Sequence, residues 1–117
     1  MAERTEIHSF ACKYYELYKK PQTKEIEVDL GFAECCFALG FEMDSGTRFI
    51  ENYSLDAFSK SEKLAKIIID INDANLLGSA IFSKWRDLTH WTCSSLVNDE
   101  NRKWFILAFA RLATITG

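Results

Sequence analysis

The chain has 117 residues, of which 48% are hydrophobic and 26% are charged. This composition is typical of a globular domain, it excludes a disordered or collagen-like chain, and the length allows a sizeable core without disulfides or a structural metal. The net charge of −3 argues against a general binder of nucleic acid or anionic membranes, because both attract strongly basic surfaces.

The first residues carry charges of both signs and lack the apolar stretch of a secretory signal. The longest apolar run, residues 104–110, is too short to cross a membrane. We therefore expect a cytoplasmic protein without a membrane partner. The cysteines fit this expectation, because no two have the two-residue gap that metal-binding thiolates use. We predict that they are buried as small hydrophobic side chains, and we predict no metal and no cofactor.

The first predicted element is a helix over residues 3–20, which Pro21 ends. Its apolar side chains recur at helical spacing and form one stripe that should face the core. The stripe comprises Ile7, Phe10, Ala11, Tyr14, Leu17 and Tyr18.

Residues 24–39 allow two interpretations. Apolar and polar residues alternate over residues 26–30 as in a strand, whereas Leu30, Ala33 and Phe37 recur at helical spacing. The apolar pattern continues past the length of a strand, and Gly40 lies where a helix end favours a left-handed residue. The sequence therefore predicts a second helix that ends near Gly40.

The segment 41–58 contains helix breakers but is too apolar for a free loop, so we predict that it packs on the core. Residues 59–62 then form a capping-box pattern that opens a further helix. The inward side of that helix should carry Leu64, Ile67, Ile68 and Ile71, and Asn72 and Asp73 should end it and cap the next helix.

Two longer helices complete the prediction, one over residues 74–91 and one after residues 98–99. Gly78 and Ala80 should let a neighbouring element approach the first of these closely. The last helix is apolar all round over residues 104–110, which predicts that it is the central helix. Residues 1–117 are thus predicted to form a single all-α domain, a compact bundle of four to five main helices with short connections.

No catalytic motif is present in the sequence. It has no glycine-rich phosphate loop and no nucleophile elbow, and its histidines are His8 and His90 alone. We therefore assign no catalytic residue.

A polar strip runs along the helix predicted over residues 74–91. Polar residues recur there at spacings of four, three and four from Ser79 to His90. Arg86 could contact an anion, with His90 as its titrating partner, or the strip could be the solvated face of a packed helix. This candidate anion patch comprises Ser83, Arg86, Asp87, His90 and Trp91.

Charge is distributed unevenly along the chain. Residues 25–56 contain eight acidic side chains and one arginine, a balance of −7, whereas residues 84–117 carry a balance of +2 from five basic and three acidic side chains. Such an acidic flank could steer a basic protein partner, or it could only keep the protein soluble. Glu42, Asp44 and Glu51 are the candidate partner-binding residues on this flank.

Aromatic residues make up 14% of the chain. The tryptophans lie beside basic residues, a composition found at protein interfaces and where bases stack. We expect Trp85 and Trp104 in the core, which leaves Trp91 and Tyr15 as exposed candidates. The basic residues of this patch are Lys84, Arg86, Arg102 and Lys103.

These observations favour a small non-enzymatic interaction module that docks onto a macromolecular partner, and a protein is the partner we expect. The first alternative is a small-ligand binder or enzyme that uses Arg86, Asp87 and His90. The second is nucleic-acid binding through the basic and aromatic C-terminal patch, which the overall acidity disfavours. A homo-oligomer is also open, since the apolar last helix could be half of a larger core.

Overall fold

The computed structural model of the protein describes residues 3–19, 30–42, 68, 70–91 and 99–117, with the backbone alone at residues 30, 87–91 and 99–101. The described residues form four α-helices and no strand. They are α1 (Arg4–Lys19), α2 (Leu30–Ala38), α3 (Ala74–Trp91) and α4 (Asp99–Thr116). The prediction of an all-α bundle is therefore confirmed. The radius of gyration of 12.9 Å is close to the value of about 13 Å expected for a compact chain of this length.

The helices α1 and α4 pack against each other in antiparallel orientation. At one end the Arg4 side chain donates hydrogen bonds to the carbonyls of Ile115 and Thr116. At the other end Arg102 Nε donates to the Tyr18 carbonyl at 3.1 Å. The predicted stripe of α1 faces this interface, with five of its six residues buried and Leu17 half-buried.

The C-terminal end of α2 forms a Schellman motif. Gly40 has a φ of 79°, and the amides of Gly40 and Phe41 donate to the carbonyls of Phe37 and Cys36, both at 3.0 Å. A left-handed backbone conformation at this position favours glycine, so the predicted role of Gly40 is confirmed. The motif turns the chain so that Phe41, which is 2% exposed, enters the core.

Asp73 caps the N-terminus of α3. Its carboxylate accepts hydrogen bonds from the amides of Asn75 and Leu76 at 3.0 and 3.1 Å, as the sequence predicts. On the other side, Arg111 of α4 donates to the Ile71 carbonyl and to the Asn72 side chain. Residues 71–73, which lead into α3, are therefore hydrogen-bonded both to α3 and to α4.

The last helix packs against both α1 and α3, but it is not enclosed on all sides as the apolar pattern predicted. Over its described residues, α3 is the more enclosed helix. Every residue from 77 to 85 in α3 is buried. Small residues such as Gly78, Ser79 and Ala80 allow neighbours to approach α3 from several directions. In α4, by contrast, Ile106 and Leu107 stay partly exposed, so only one side of that helix is fully buried.

The core is built around aromatic rings that join the helices. Phe32 of α2 is 1% exposed, and its ring centroid lies 4.9 Å from that of Tyr14 in α1 and 4.9 Å from that of Trp85 in α3. Its centroid also lies 6.3 Å from that of Phe109 in α4. One side chain thus contacts all three other helices.

Several predictions concern residues outside the described part of the chain. These are the choice between strand and helix over residues 24–29, the packing of residues 43–58 and the capping box at residues 59–62. Of the helix predicted after that box, Ile68 and Ile71 are described, and both are buried as predicted.

Two phenylalanines of α2 provide a matched test of the core. We expect Phe32→Ala to lower the free energy of unfolding by about 3–5 kcal/mol, because it leaves a cavity between four helices. Phe37→Ala on the same helix should cost less than about 1 kcal/mol, because the Phe37 side chain is 65% exposed. Urea unfolding followed by circular dichroism measures both. Equal costs would contradict this account of the core.

The close approach of Phe41 to α3 predicts the effect of Gly78→Ala. Alanine normally stabilises a helix interior by about 1 kcal/mol relative to glycine. Here a Cβ at residue 78 would overlap the buried Phe41 ring, so we expect a net loss of about 1–2 kcal/mol in the free energy of unfolding. In the Phe41→Leu background, which shortens the opposing side chain, Gly78→Ala should cost less. A stabilising Gly78→Ala in the native background would contradict the contact.

Candidate functional site

The most distinctive surface of the described residues lies on α2 and the turn after it. Phe37 is 65% exposed, and it is the one large apolar side chain among the described residues that is exposed. Glu34, Ala38 and Glu42 are exposed as well. We call these four residues the α2 surface. Residues 30–42 contain no lysine or arginine, so the surface combines one aromatic side chain with negative charge.

The α2 surface is attached to the core at two points. The ring of Phe37 stands edge-on to the buried ring of Phe82 in α3, with centroids 5.1 Å apart and planes at 88°. Beyond the Gly40 turn, the amide of Glu42 donates to Ser79 Oγ at 2.9 Å. Both contacts are to α3, so the Phe37 ring and the backbone at Glu42 are held by the most enclosed helix.

A groove lies between α1 and α2 beside this surface. Its volume is about 380 Å³, and Ala38 belongs both to the groove and to the α2 surface. The walls are mostly apolar, with charged side chains at Glu6 and Lys13. The groove could accept an apolar side chain of a partner or a small apolar ligand. The remaining lining residues are Ser9, Phe10, Tyr14, Cys35 and Leu39.

The sequence did not predict that Phe37 is exposed, because the helical spacing placed it on an inward stripe with Leu30 and Ala33. In the structure, Phe32 and Cys36 are the buried side chains of α2, and Phe37 lies on the exposed side of the helix. The spacing of four between Phe32 and Cys36 is the signal that could have fixed the orientation of this helix. Of the predicted acidic residues, Glu42 is exposed, and Asp44 and Glu51 lie outside the described residues.

The predicted anion patch on α3 does not form one solvated strip. Ser83 is 1% exposed and Ser79 is 3% exposed, whereas Arg86 is exposed. The reason is that α3 is enclosed over residues 77–85, so its small polar residues face neighbouring elements. Asp87, His90 and Trp91 belong to α3, and their side chains lie outside the described part of the structure.

The predicted basic and aromatic patch loses Lys84 as a surface charge. Lys84 is 4% exposed, and its Nζ lies 4.9 Å from the centroid of the Trp104 ring, a cation–π contact. Arg102 is engaged with the Tyr18 carbonyl. The predicted burial of Trp85 and Trp104 is confirmed at 8% and 2% exposure. Tyr15, predicted to be exposed, is half-buried.

The described cysteines differ in their environments. Cys36 is fully buried, as predicted, and its burial together with the neighbouring Cys35 raises the pKa of its thiol well above the ordinary range. Cys35 is half-buried. Cys12 is exposed, so the prediction of burial is wrong for this residue, which lies on the outer side of α1. Cys93 lies outside the described residues.

His8 and Cys12 form a pair that the sequence analysis missed. Cys12 Sγ lies 3.5 Å from His8 Nε2, and His8 is half-buried against the end of α4. Their spacing of four residues on a predicted helix is the signal that could have revealed the pair. Over the described part of the chain, no three His, Cys, Asp or Glu side chains come together as metal ligands.

No family model, curated protein sequence or solved structure matches this chain. Among its described helices, none has the length and apolar character needed to cross a membrane.

The burial of Lys84 can be tested by charge reversal. We expect Lys84→Glu to lower the free energy of unfolding by about 3 kcal/mol, because it places a buried carboxylate against the electron-rich face of Trp104. Lys103→Glu on α4, where the side chain is exposed, makes the same change of charge and should cost less than about 0.5 kcal/mol. Thermal unfolding of both variants measures the difference. If Lys84→Glu leaves the free energy of unfolding unchanged, Lys84 is not buried and belongs to the surface patch after all.

Proposed function

We propose that the protein is a non-enzymatic interaction module that binds a basic segment of a protein partner through the α2 surface. The observation that carries this proposal is the 65% exposure of Phe37 between the exposed Glu34 and Glu42. An exposed aromatic side chain on a rigid helix is a common anchor of protein interfaces. We further propose that the protein works in the cytoplasm.

The energetics of this surface favour a protein partner. Complete burial of the exposed part of a phenylalanine side chain contributes on the order of 2 kcal/mol. The groove beside Ala38 offers a second apolar contact for a partner side chain. Affinity would therefore come from apolar burial, and the carboxylates would speed and orient the association of a basic segment.

The same charges disfavour other occupants of the α2 surface. Phosphate groups of a nucleic acid would be repelled by Glu34 and Glu42. A two-fold contact with a second copy of the chain would bring like carboxylates close to each other. A basic protein segment is the partner that avoids both penalties.

A small-ligand site is the second candidate function. The observation that favours it is the groove of about 380 Å³ between α1 and α2. Arg86 is described and does not line this groove, so a ligand there would bind without the arginine of the predicted anion patch. Glu6 and Lys13 would give such a ligand its charged contacts.

The α2 surface is tested by comparing captured partners between variants of the full chain. Tagged native protein, Phe37→Asp and the double variant Glu34→Lys/Glu42→Lys are incubated with host lysate, with and without nuclease, and bound proteins are quantified by mass spectrometry. We expect one stoichiometric, nuclease-insensitive protein to bind the native chain, and both variants to lose it at least tenfold. Cross-linking should place a lysine- or arginine-rich segment of that protein at the α2 surface.

The control variant Glu3→Lys/Glu16→Lys makes the same change of net charge at the residue before α1 and within α1, and both glutamates are exposed. It should retain the partner. A partner held equally by native protein and both α2 variants would overturn the proposed surface, and so would the absence of any stoichiometric partner at low salt. Retention of only nucleic acid would favour the nucleic-acid alternative.

A further inference from the structure

The exposed Cys12 thiol lies beside His8, and the contacts of the imidazole show which of its ring nitrogens donates a hydrogen bond. His8 Nδ1 lies 3.0 Å from the Ala113 carbonyl oxygen, which can only accept a hydrogen bond. Nδ1 therefore carries a proton and donates it. It also lies 3.3 Å from Thr116 Oγ1, and this hydroxyl donates its own proton to the Leu112 carbonyl at 2.6 Å. Both neighbours of Nδ1 thus act as acceptors.

The other ring nitrogen is then available as a base. In the neutral imidazole with a proton on Nδ1, Nε2 carries the free lone pair. Cys12 Sγ lies 3.5 Å from this atom, within the distance of a hydrogen bond to sulfur. The thiol can donate to Nε2, and Nε2 can accept the thiol proton when the sulfur reacts.

The orientation of the His8 ring is set by α4, although His8 and Cys12 both lie on α1. His8 and Cys12 lie one turn apart on α1, whereas Ala113 and Thr116 belong to the last turns of α4. Gly117, the residue after α4, lies beside the ring, since a Cβ added there would lie 3.2 Å from His8 Cε1. A nucleophile, a base and a third group that orients the base are the parts of an activated thiol.

The other described cysteines lack this arrangement. Cys36 is buried and its thiol pKa is raised, which disfavours the reactive thiolate. Cys35 is half-buried at the α1–α2 groove. Of the described cysteines, Cys12 alone combines exposure with a neighbouring imidazole.

We propose that Cys12 is a modification site that reacts with small disulfides to form a mixed disulfide. The Cys12 thiol proton passes to His8 Nε2, and the thiolate attacks one sulfur of the small disulfide. A bond forms between Cys12 Sγ and that sulfur while the original S–S bond breaks. The second sulfur leaves with the electron pair and takes the proton from His8. Cys12 is oxidised, and the leaving half of the disulfide is reduced to a thiol.

The proposal is tested by measuring the reaction rate of each cysteine in the native chain with dipyridyl disulfide at neutral pH. The labelled peptides are quantified by mass spectrometry after quenching. The reference is the same Cys12 in the urea-unfolded chain, which keeps the local sequence and lacks the contacts of α4. Because His8 Nε2 can take the thiol proton during the attack, we expect native Cys12 to react about tenfold faster than this reference.

His8→Asn is the matched variant, because its amide can still donate to the Ala113 carbonyl but cannot take the thiol proton. It should lower the rate at Cys12 to that of the unfolded reference and leave the rate at Cys35 unchanged. Added free imidazole should restore part of the rate. The proposal is wrong if native Cys12 reacts no faster than in urea, a comparison that holds even if His8→Asn fails to fold. It is also wrong if a folded His8→Asn variant keeps the native rate.

Discussion

The position of Phe32 is the constraint on which the rest of this structure depends. Its ring lies against Phe10 and Tyr14 of α1, Trp85 of α3 and Phe109 of α4. The antiparallel pair of α1 and α4 brings Tyr14 and Phe109 together, and Phe32 then ties the short α2 to that pair and to α3. Dispersion and apolar burial at this one side chain thus fix the position of α2 against the other three helices.

The exposure of Phe37 follows from this constraint. Once Phe32 and Cys36 face the core, the next residue is rotated by about 100° around the helix axis and points away from it. The Schellman motif at Gly40 then returns the chain to the core at Phe41, which leaves Glu42 at the surface and bonded through its amide to Ser79. The proposed docking surface is therefore a consequence of how α2 is anchored.

The proposed reactivity of Cys12 depends on the same antiparallel pair. His8 and Cys12 are neighbours on any helix that contains them, but only the end of α4 supplies the carbonyl that fixes the imidazole proton on Nδ1. The two proposals rest on different properties of exposed side chains. Phe37 on α2 would contribute free energy of binding when a partner buries its ring. The Cys12 sulfur on α1 would gain reactivity from the neighbouring base, His8.

The sequence by itself determined the all-α class, the buried stripe of α1, the glycine cap at residue 40 and the aspartate cap at residue 73. These features depend on local spacing and on backbone preferences, which neighbouring residues carry in full. Only the tertiary structure decided that α3 rather than α4 is enclosed, that Lys84 and Ser83 are buried, and that Phe37 and Cys12 are exposed. Burial depends on which elements pack against each face of a helix, and helical spacing alone cannot show how many faces are covered.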